Sequence, residues 1–536
     1  MKMFGFAVFL SLCLASPVVA DDEGHHHEDL MEQQLGTVHF PVSCAAAVQK
    51  PFERGVALLH SFWYEEAEKE FAQIAKDDPN CAMAQWGLAM SQWHQLWNHP
   101  DTATTRKGRG EIKKARSLPA PTPREREYIA AMKAFYGGKG EFEKRANAYS
   151  KSMEKVYLDN PDDHEAAAFY ALSLLAGDEG NDPNFTNDKK AAAVLEKLFA
   201  TEPDHPGVAH YLIHAYDKPQ LAQLGLPAAR RYAQIAPMAP HALHMPSHIF
   251  ARVGLWQDDI SSNLASIAAT RKTAAMHMGG EGHQFHAMDF LFYAYLQSGR
   301  DADAKALIDE VKAMPDTIHN MYGMDYNPRT ATLVDFTALY PLELHHWVEA
   351  AQLEPVPGAT TGDQAVTHWA RAIGAAHLGK VDEVRKESEE IAALHKKLLA
   401  EKKKEIAEAV DEDHKQTTAW LRVAEGKYDE ALAILRPMAD KEDSLGEEPQ
   451  GIPAREIVAE ILMMAKRPEQ ALAEYETDLK FNPNRFNGLY GAAQAAELAG
   501  KQEKATQYYA ELVKVCEGSS SDRPELSRAK GLVAQK

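Results

Sequence analysis

From Pro51 onward the apolar positions recur at helical spacing, helix formers dominate and β-branched runs are scarce. Short breakers interrupt this pattern: Asp78-Pro79-Asn80, Asn160-Pro161-Asp162, Glu202-Pro203-Asp204, Met314-Pro315-Asp316 and Asn482-Pro483-Asn484. Proline cannot continue a helix and restricts the residue before it, while a neighbouring Asp or Asn caps the helix that follows. The breakers therefore predict boundaries between the two helices of successive hairpins, and an all-α chain.

The pattern also repeats. Ala471 and Ala505, and Tyr475 and Tyr509, stand 34 residues apart, with Pro483, Gly491-Ala492 and Gly500 between them. The same order of small residue, aromatic and proline appears as Gly55, Ala67, Phe71 and Pro79, and partial copies begin at Gly299 and Gly426. This resembles the tetratricopeptide repeat (TPR), whose period is about 34 residues. The resemblance covers most of residues 50–517. It implies a right-handed α-solenoid of stacked helical hairpins in which small residues let helices approach and the aromatic fills the space to the next hairpin. It also implies a concave groove that captures a peptide, a protein segment or another extended ligand.

The ends and the joints read differently. Residues 1–20 combine Lys2, an apolar run from Phe4 to Ala15 and small residues at Val18-Val19-Ala20, which predicts a cleaved export signal. Residues 21–48 form a polar leader rich in acids and in His25-His26-His27. An N-terminal array is expected over 49–351, a linker over 352–364, a C-terminal array over 365–517 and a polar tail over 518–536. The segment from His319 to Trp347, rich in Tyr, Met and His, fits the repeat poorly and suggests a lid or insertion near the groove. The expected location is the periplasm or the extracellular space. No run after the signal is long enough to span a bilayer. Of the cysteines left after cleavage, Cys44 and Cys81 form the one sequence-local pair and Cys516 is odd. The net charge of −20 argues against nucleic acid and anionic membrane surfaces as partners.

Histidine is unevenly spread. Residues 204–289 hold nine of the 24 histidines, where an even spread would place about four. Within them His210 and His214, and His244 and His248, are spaced four apart, which stacks two side chains on one helical face. The TPR resemblance places both pairs, together with Asp289 and Tyr293, on groove-facing positions, and His286 lies one turn before Asp289. Two such pairs offer enough imidazoles for a transition metal, zinc or copper. The expected ligand set is His210, His214, His244 and His248, with His286 and Asp289 as alternates or supports. Pro246 falls inside the second pair, so His244 stands either within the helix or just before it. His283, Arg252, Tyr293, Trp93 and His94 are candidate groove contacts, although Trp93 and the aromatics around it also suit a helix-packing core.

Other chemistry is absent. His164-Glu165 starts like a metalloprotease motif, but Ala168 stands where its second histidine belongs. No nucleophile elbow or phosphate-binding loop occurs in the chain. The first expectation is an exported TPR binding or scaffolding protein. The alternative is a divalent-metal-binding protein or a metal-dependent enzyme that uses the histidine-rich groove.

Overall fold

Phe71 shows how the repeat is built. A Cβ placed on Gly55 would stand 2.8 Å from its ring, and one on Gly87 would stand 2.3 Å away. The ring is thus wedged between the first helix of its own hairpin and that of the next. Tyr475 repeats the arrangement against Gly491, where a Cβ would meet the ring at 2.2 Å. These are the small and aromatic positions of the 34-residue pattern, and they bring helices close enough to share one continuous core.

The structure is a computed structural model that describes residues 34–534, apart from 97–99, 120–121, 178–181, 279–280, 317–319, 322–323, 326 and 447–449. The export signal and His25-His26-His27 lie outside the described residues, as do His319, Tyr322 and Tyr326 of the expected lid. Helices follow one another from Gln49–His60 to Pro524–Ala534, and the described strands are the two-residue pair Asn320–Met321 and Met324–Asp325. The chain is an all-α solenoid of TPR-like hairpins. Among the described residues no helix is long and apolar enough to cross a membrane.

Four expectations change. The leader is not polar throughout, because Leu35 and Phe40 are buried in the first core and Cys44 is bonded to Cys81. The tail is not a tail either: Leu526 and Ala529 of the helix Pro524–Ala534 are buried. Of the expected lid, Pro328–Glu343 is a regular helix whose Leu333, Val334 and Phe336 are buried.

The fourth change concerns the linker. A loop does separate Trp347–Ala351 from Thr361–His377, yet these helices pack on each other within one core that runs from Ala338 to Ala529. The later hairpins also fold back onto the middle of the chain. The Trp256 indole donates to the Asn484 carbonyl at 2.8 Å, and Arg523 reaches Asp301 at 2.6 Å. Arg485, fully buried, spends its guanidinium on both carboxylate oxygens of Glu456 (2.9 and 2.8 Å), on Glu343 (2.9 Å), on the Tyr293 hydroxyl (2.6 Å) and on the Gly451 carbonyl (3.0 Å). The two arrays are clasped together.

A candidate metal centre of six histidines

One helix ends at Phe199, and after the breaker Glu202-Pro203-Asp204 the helix Pro206–Tyr216 starts with His205 as its N-cap and Pro206 in its first turn. Four residues apart on this helix, His210 and His214 meet at 3.0 Å between their Nε2 atoms. A third ring joins them from the short helix Pro240–His244: the Nε2 of His241 lies 3.1 Å from that of His210. The chain then steps at Met245, because Pro246 begins a new helix, Pro246–Arg252. The step turns His244 away from His241. His244 instead meets His248 across the junction, Nε2 to Nε2 at 3.0 Å. The helix His283–Gln297 supplies His286, whose ring centre is 4.6 Å from that of His244 and 5.6 Å from that of His248.

Two triads result, His210–His214–His241 and His244–His248–His286, and within each the ligand nitrogens lie within 4.8 Å of one another. They are neighbours: ring centres stand 6.2 Å apart between His241 and His244 and 6.4 Å apart between His214 and His248. Three nitrogens held about 2.0–2.1 Å from one tetrahedral ion stand about 3.3 Å from each other. The contacts His210–His214, His210–His241 and His244–His248, at 3.0, 3.1 and 3.0 Å, are within a few tenths of that spacing, and the other edges of the triads lie within 4.8 Å.

The outer nitrogens of three of the rings, His210, His244 and His248, are fixed. His210 Nδ1 donates to the His60 carbonyl at 2.6 Å, and His248 Nδ1 donates to Asp217 at 2.8 Å. His244 Nδ1 contacts the Asn263 side-chain oxygen at 2.7 Å. Asn263 is itself oriented, since its amide nitrogen donates to the backbone carbonyl of Asp259 at 3.1 Å and to the Asp259 side chain at 2.8 Å. An amide held that way round presents oxygen to His244, so His244 Nδ1 carries the proton. Such outer partners set the tautomer of metal-ligating histidines and turn the Nε2 lone pair inward.

The electrostatics agree. Burial first, and neighbouring histidines second, hold His210, His241 and His244 well below the usual imidazole range. Burial pushes His214 down to about 3, with His248 adding to it. Burial would raise Asp217, but Arg252 and His248 outweigh it and keep its carboxyl well below the usual range. Aromatic rings wall both triads. Phe62 stands 4.3 Å from the His210 ring and 5.5 Å from His241, and Phe290 stands 4.5 Å from His248 and 5.0 Å from His244. Phe62 takes a left-handed backbone, φ 53°, a conformation that favours glycine, in order to lie over the first triad.

The expected ligands are therefore brought together, but into two sets of three instead of one set of four, and with His241 added. Its signal was present: the spacing His241, His244, His248 with a proline between the last two lets one short segment face two ways. Asp289 belongs to neither triad and accepts a hydrogen bond from Thr332 at 3.2 Å. His283 is buried beside His241, ring centres 6.1 Å apart, and burial pushes it down to about 3. His94 stacks on Tyr64 at 4.2 Å.

Three expected groove contacts are spent elsewhere. Trp93 is a core residue, stacked face to face on Phe135 at 3.7 Å. Tyr293 is buried under Arg485. Arg252 is buried too, donating to Asp217 at 2.8 Å and to the Gly446 carbonyl at 3.1 Å. It acts on the site from behind, by holding the carboxylate that holds His248.

A further cluster escaped the sequence reading. His164-Glu165 fails as a protease motif, yet Glu165 sits buried between His60 (2.7 Å) and His205 (2.9 Å). His205 Nδ1 accepts the Val208 amide at 3.2 Å, so its Nε2 donates to Glu165, and His60 Nδ1 meets the Tyr211 hydroxyl at 2.8 Å. Every donor there faces an acceptor. Cys44, Asp78 and Cys81 also converge, but the two sulfurs are joined in a disulfide.

No known family matches the chain, and no curated protein matches it. Among solved structures, a human IFIT1 dimer with m7Gppp-AAAA is 13% identical, covers 85% of this chain and 95% of its own, and superposes with a TM-score of 0.34. An IFIT1 monomeric mutant with Gppp-AAAA is 12% identical, covers 92% of this chain and 100% of its own, and has a TM-score of 0.33. A superposition that loose transfers neither ligand nor reaction to this chain.

Proposed function

We propose that this chain is an exported TPR-like protein that holds two transition-metal ions side by side, each on three imidazoles, and that the metal is copper. The observation that carries the reading is the pair His244 and His248. In its neutral form each carries the proton on Nδ1, where Asn263 and Asp217 accept it, so that two Nε2 lone pairs then face each other at 3.0 Å. Two facing lone pairs repel unless a positive centre lies between them, and a metal ion is such a centre. The His60–Glu165–His205 cluster supplies the contrast, because its donors and acceptors match without an ion. Six neutral imidazoles suit copper better than calcium or magnesium, which take oxygen ligands. The Cys44–Cys81 disulfide supports an oxidising compartment and thus export. The net charge of −20 supports a role away from nucleic acid. Capture of a peptide or protein segment has less support, since Arg252 and Tyr293 are engaged inside the protein.

The test is the metal content of untagged protein that lacks residues 1–29, so that His25-His26-His27 cannot scavenge ions. With two triads, about two equivalents of copper are expected, falling to about one in His210→Ala and in His248→Ala. No bound metal, with no thermal shift on adding copper or zinc, overturns the reading.

A further inference from the structure

The helices that follow the second triad leave a trough between them. In the helix Asp301–Ala313, Lys305, Ile308 and Lys312 are spaced three and four apart and share one face. In the helix Pro328–Glu343, Arg329, Leu333, Thr337 and Tyr340 share another. The buried side chains of Ile308 and Leu333 form the floor between the two faces. A third wall runs from Leu353 to Pro357, stiffened by Pro355 and Pro357, with Val356 packed on the same core. These walls bound a cavity of about 450 Å³. That size is usual for a small-molecule site.

The trough has a basic end, in a chain whose net charge is −20. Lys305 lies over the Tyr340 ring, 5.7 Å from its centre. Arg329 donates through Nε to the Val311 carbonyl at 3.1 Å and through Nη2 to the Lys312 carbonyl at 2.7 Å. Those carbonyls close the helix Asp301–Ala313, so Arg329 covers groups that would repel an anion. Arg329 also stands in the first turn of Pro328–Glu343, at the positive end of that helix dipole. Two acids line the trough as well. Glu349 stands 3.4 Å from the His346 imidazole, and Glu354 precedes Pro355. The third wall comes up to Thr330, beside Arg329, only at Gly358, where an added Cβ would lie 3.9 Å from the Thr330 hydroxyl. Lys312 and Arg329 therefore mark the basic end, and Ile308, Leu333 and Val356 the apolar middle. From Lys312 back to Lys305 is about 10 Å along the helix.

We propose that this trough binds a single-chain amphiphilic carboxylate, a fatty acid of medium length. Its head lies between Lys312 and Arg329, and its hydrocarbon covers Ile308, Leu333 and Val356 towards Tyr340. A bare anion would leave the apolar floor in water, and a cationic amphiphile would leave the basic end unpaired; an amphiphilic anion uses both. The donors that remain at the head are the Lys312 ammonium and Arg329 Nη1, which suit a singly charged carboxylate better than a phosphate. The site shares no residue with the histidine triads and does not depend on metal.

The experiment is titration calorimetry on protein lacking residues 1–29, a deletion that leaves every described residue in place. The probes are octanoate, acetate, inorganic phosphate and octylamine. One equivalent of octanoate is expected to bind, and the other three are expected to give no binding at the same concentration. Added salt should weaken octanoate, because Lys305 and Lys312 are exposed. Lys312→Glu is expected to weaken octanoate about tenfold and Val356→Asp to abolish its binding, both with the melting temperature of the parent. No binding of octanoate, or equal binding by the parent and both variants, overturns the site. Octylamine bound as tightly as octanoate overturns the role of the basic end, and phosphate bound as tightly overturns that of the apolar floor.

Discussion

Asp217 accepts from His248 and from Arg252, each at 2.8 Å, and so turns a buried, paired charge into an orientation for one imidazole. Replacing it by asparagine removes the charge and lets an amide nitrogen face His248, which favours the wrong tautomer. Asp217→Asn is expected to weaken the second copper about 10–100-fold, the usual cost of losing an outer partner, while the first copper stays. Competition with a Cu(I) chelator measures the two steps separately; equal weakening of both would contradict this role. Glu165 gives the opposite case. Burial would raise it, but His205 and His60 outweigh burial and hold it below the usual range. The lowered value means that its contribution to stability is present above the ordinary glutamate range and is lost as pH falls through its own. Glu165→Gln is expected to destabilise the fold by about 1–3 kcal/mol and leave the copper count unchanged. A changed copper count in that variant would place Glu165 at the metal.

At the scale of elements, the repeat was legible because it rests on side-chain size. Gly55, Phe71 and Gly87 must fit together whatever else the chain does, and their spacing recurs. Gly87→Ala should therefore cost about 1–3 kcal/mol, since the new Cβ would stand 2.3 Å from the Phe71 ring. Denaturant melts check this, and an unchanged midpoint would mean that the ring has room to move. The Cys44–Cys81 bond closes a separation of 37 residues between the leader and the third helix, and its removal as the double serine variant should cost about 3–4 kcal/mol. The site was half legible. Four residues between two histidines on one helix announce a shared face, which is how His210 with His214 and His244 with His248 were found. His241 was missed as a ligand because its partner, His210, is 31 residues away, and only the step at Met245-Pro246 decides which way each ring of that short segment turns. Arg252 and Tyr293 were misread for a different reason. A groove register assigns faces within one array and cannot foresee a second array closing on it.

For the whole molecule, that closure is the largest departure from an open solenoid. Arg485 is its centre, and Arg485→Ala would leave Glu343 and Glu456 buried without their cation, at a cost of about 3–5 kcal/mol. Arg485→Met is expected to be milder only if Glu343 and Glu456 are changed to apolar residues with it. Near the far end, burial pushes Glu460 up to about 7, beside His345. The folded state then holds that proton more tightly than the unfolded chain does, so this group lowers stability as pH rises from the usual 4.5 through about 7. Melting temperatures of Glu460→Gln should match those of the parent at acid pH and exceed them at pH 8. The two arrays, the Arg252 link to Gly446 and the rings themselves all converge on one claim, that the six histidines form two metal sites and not one. Anomalous diffraction at the copper edge, on crystals loaded with Cu(I), reads that directly. The account predicts two peaks, each about 2 Å from three Nε2 atoms, one amid His210, His214 and His241 and the other amid His244, His248 and His286. A single peak shared by His210, His214, His244 and His248, or no peak at either triad, would contradict it.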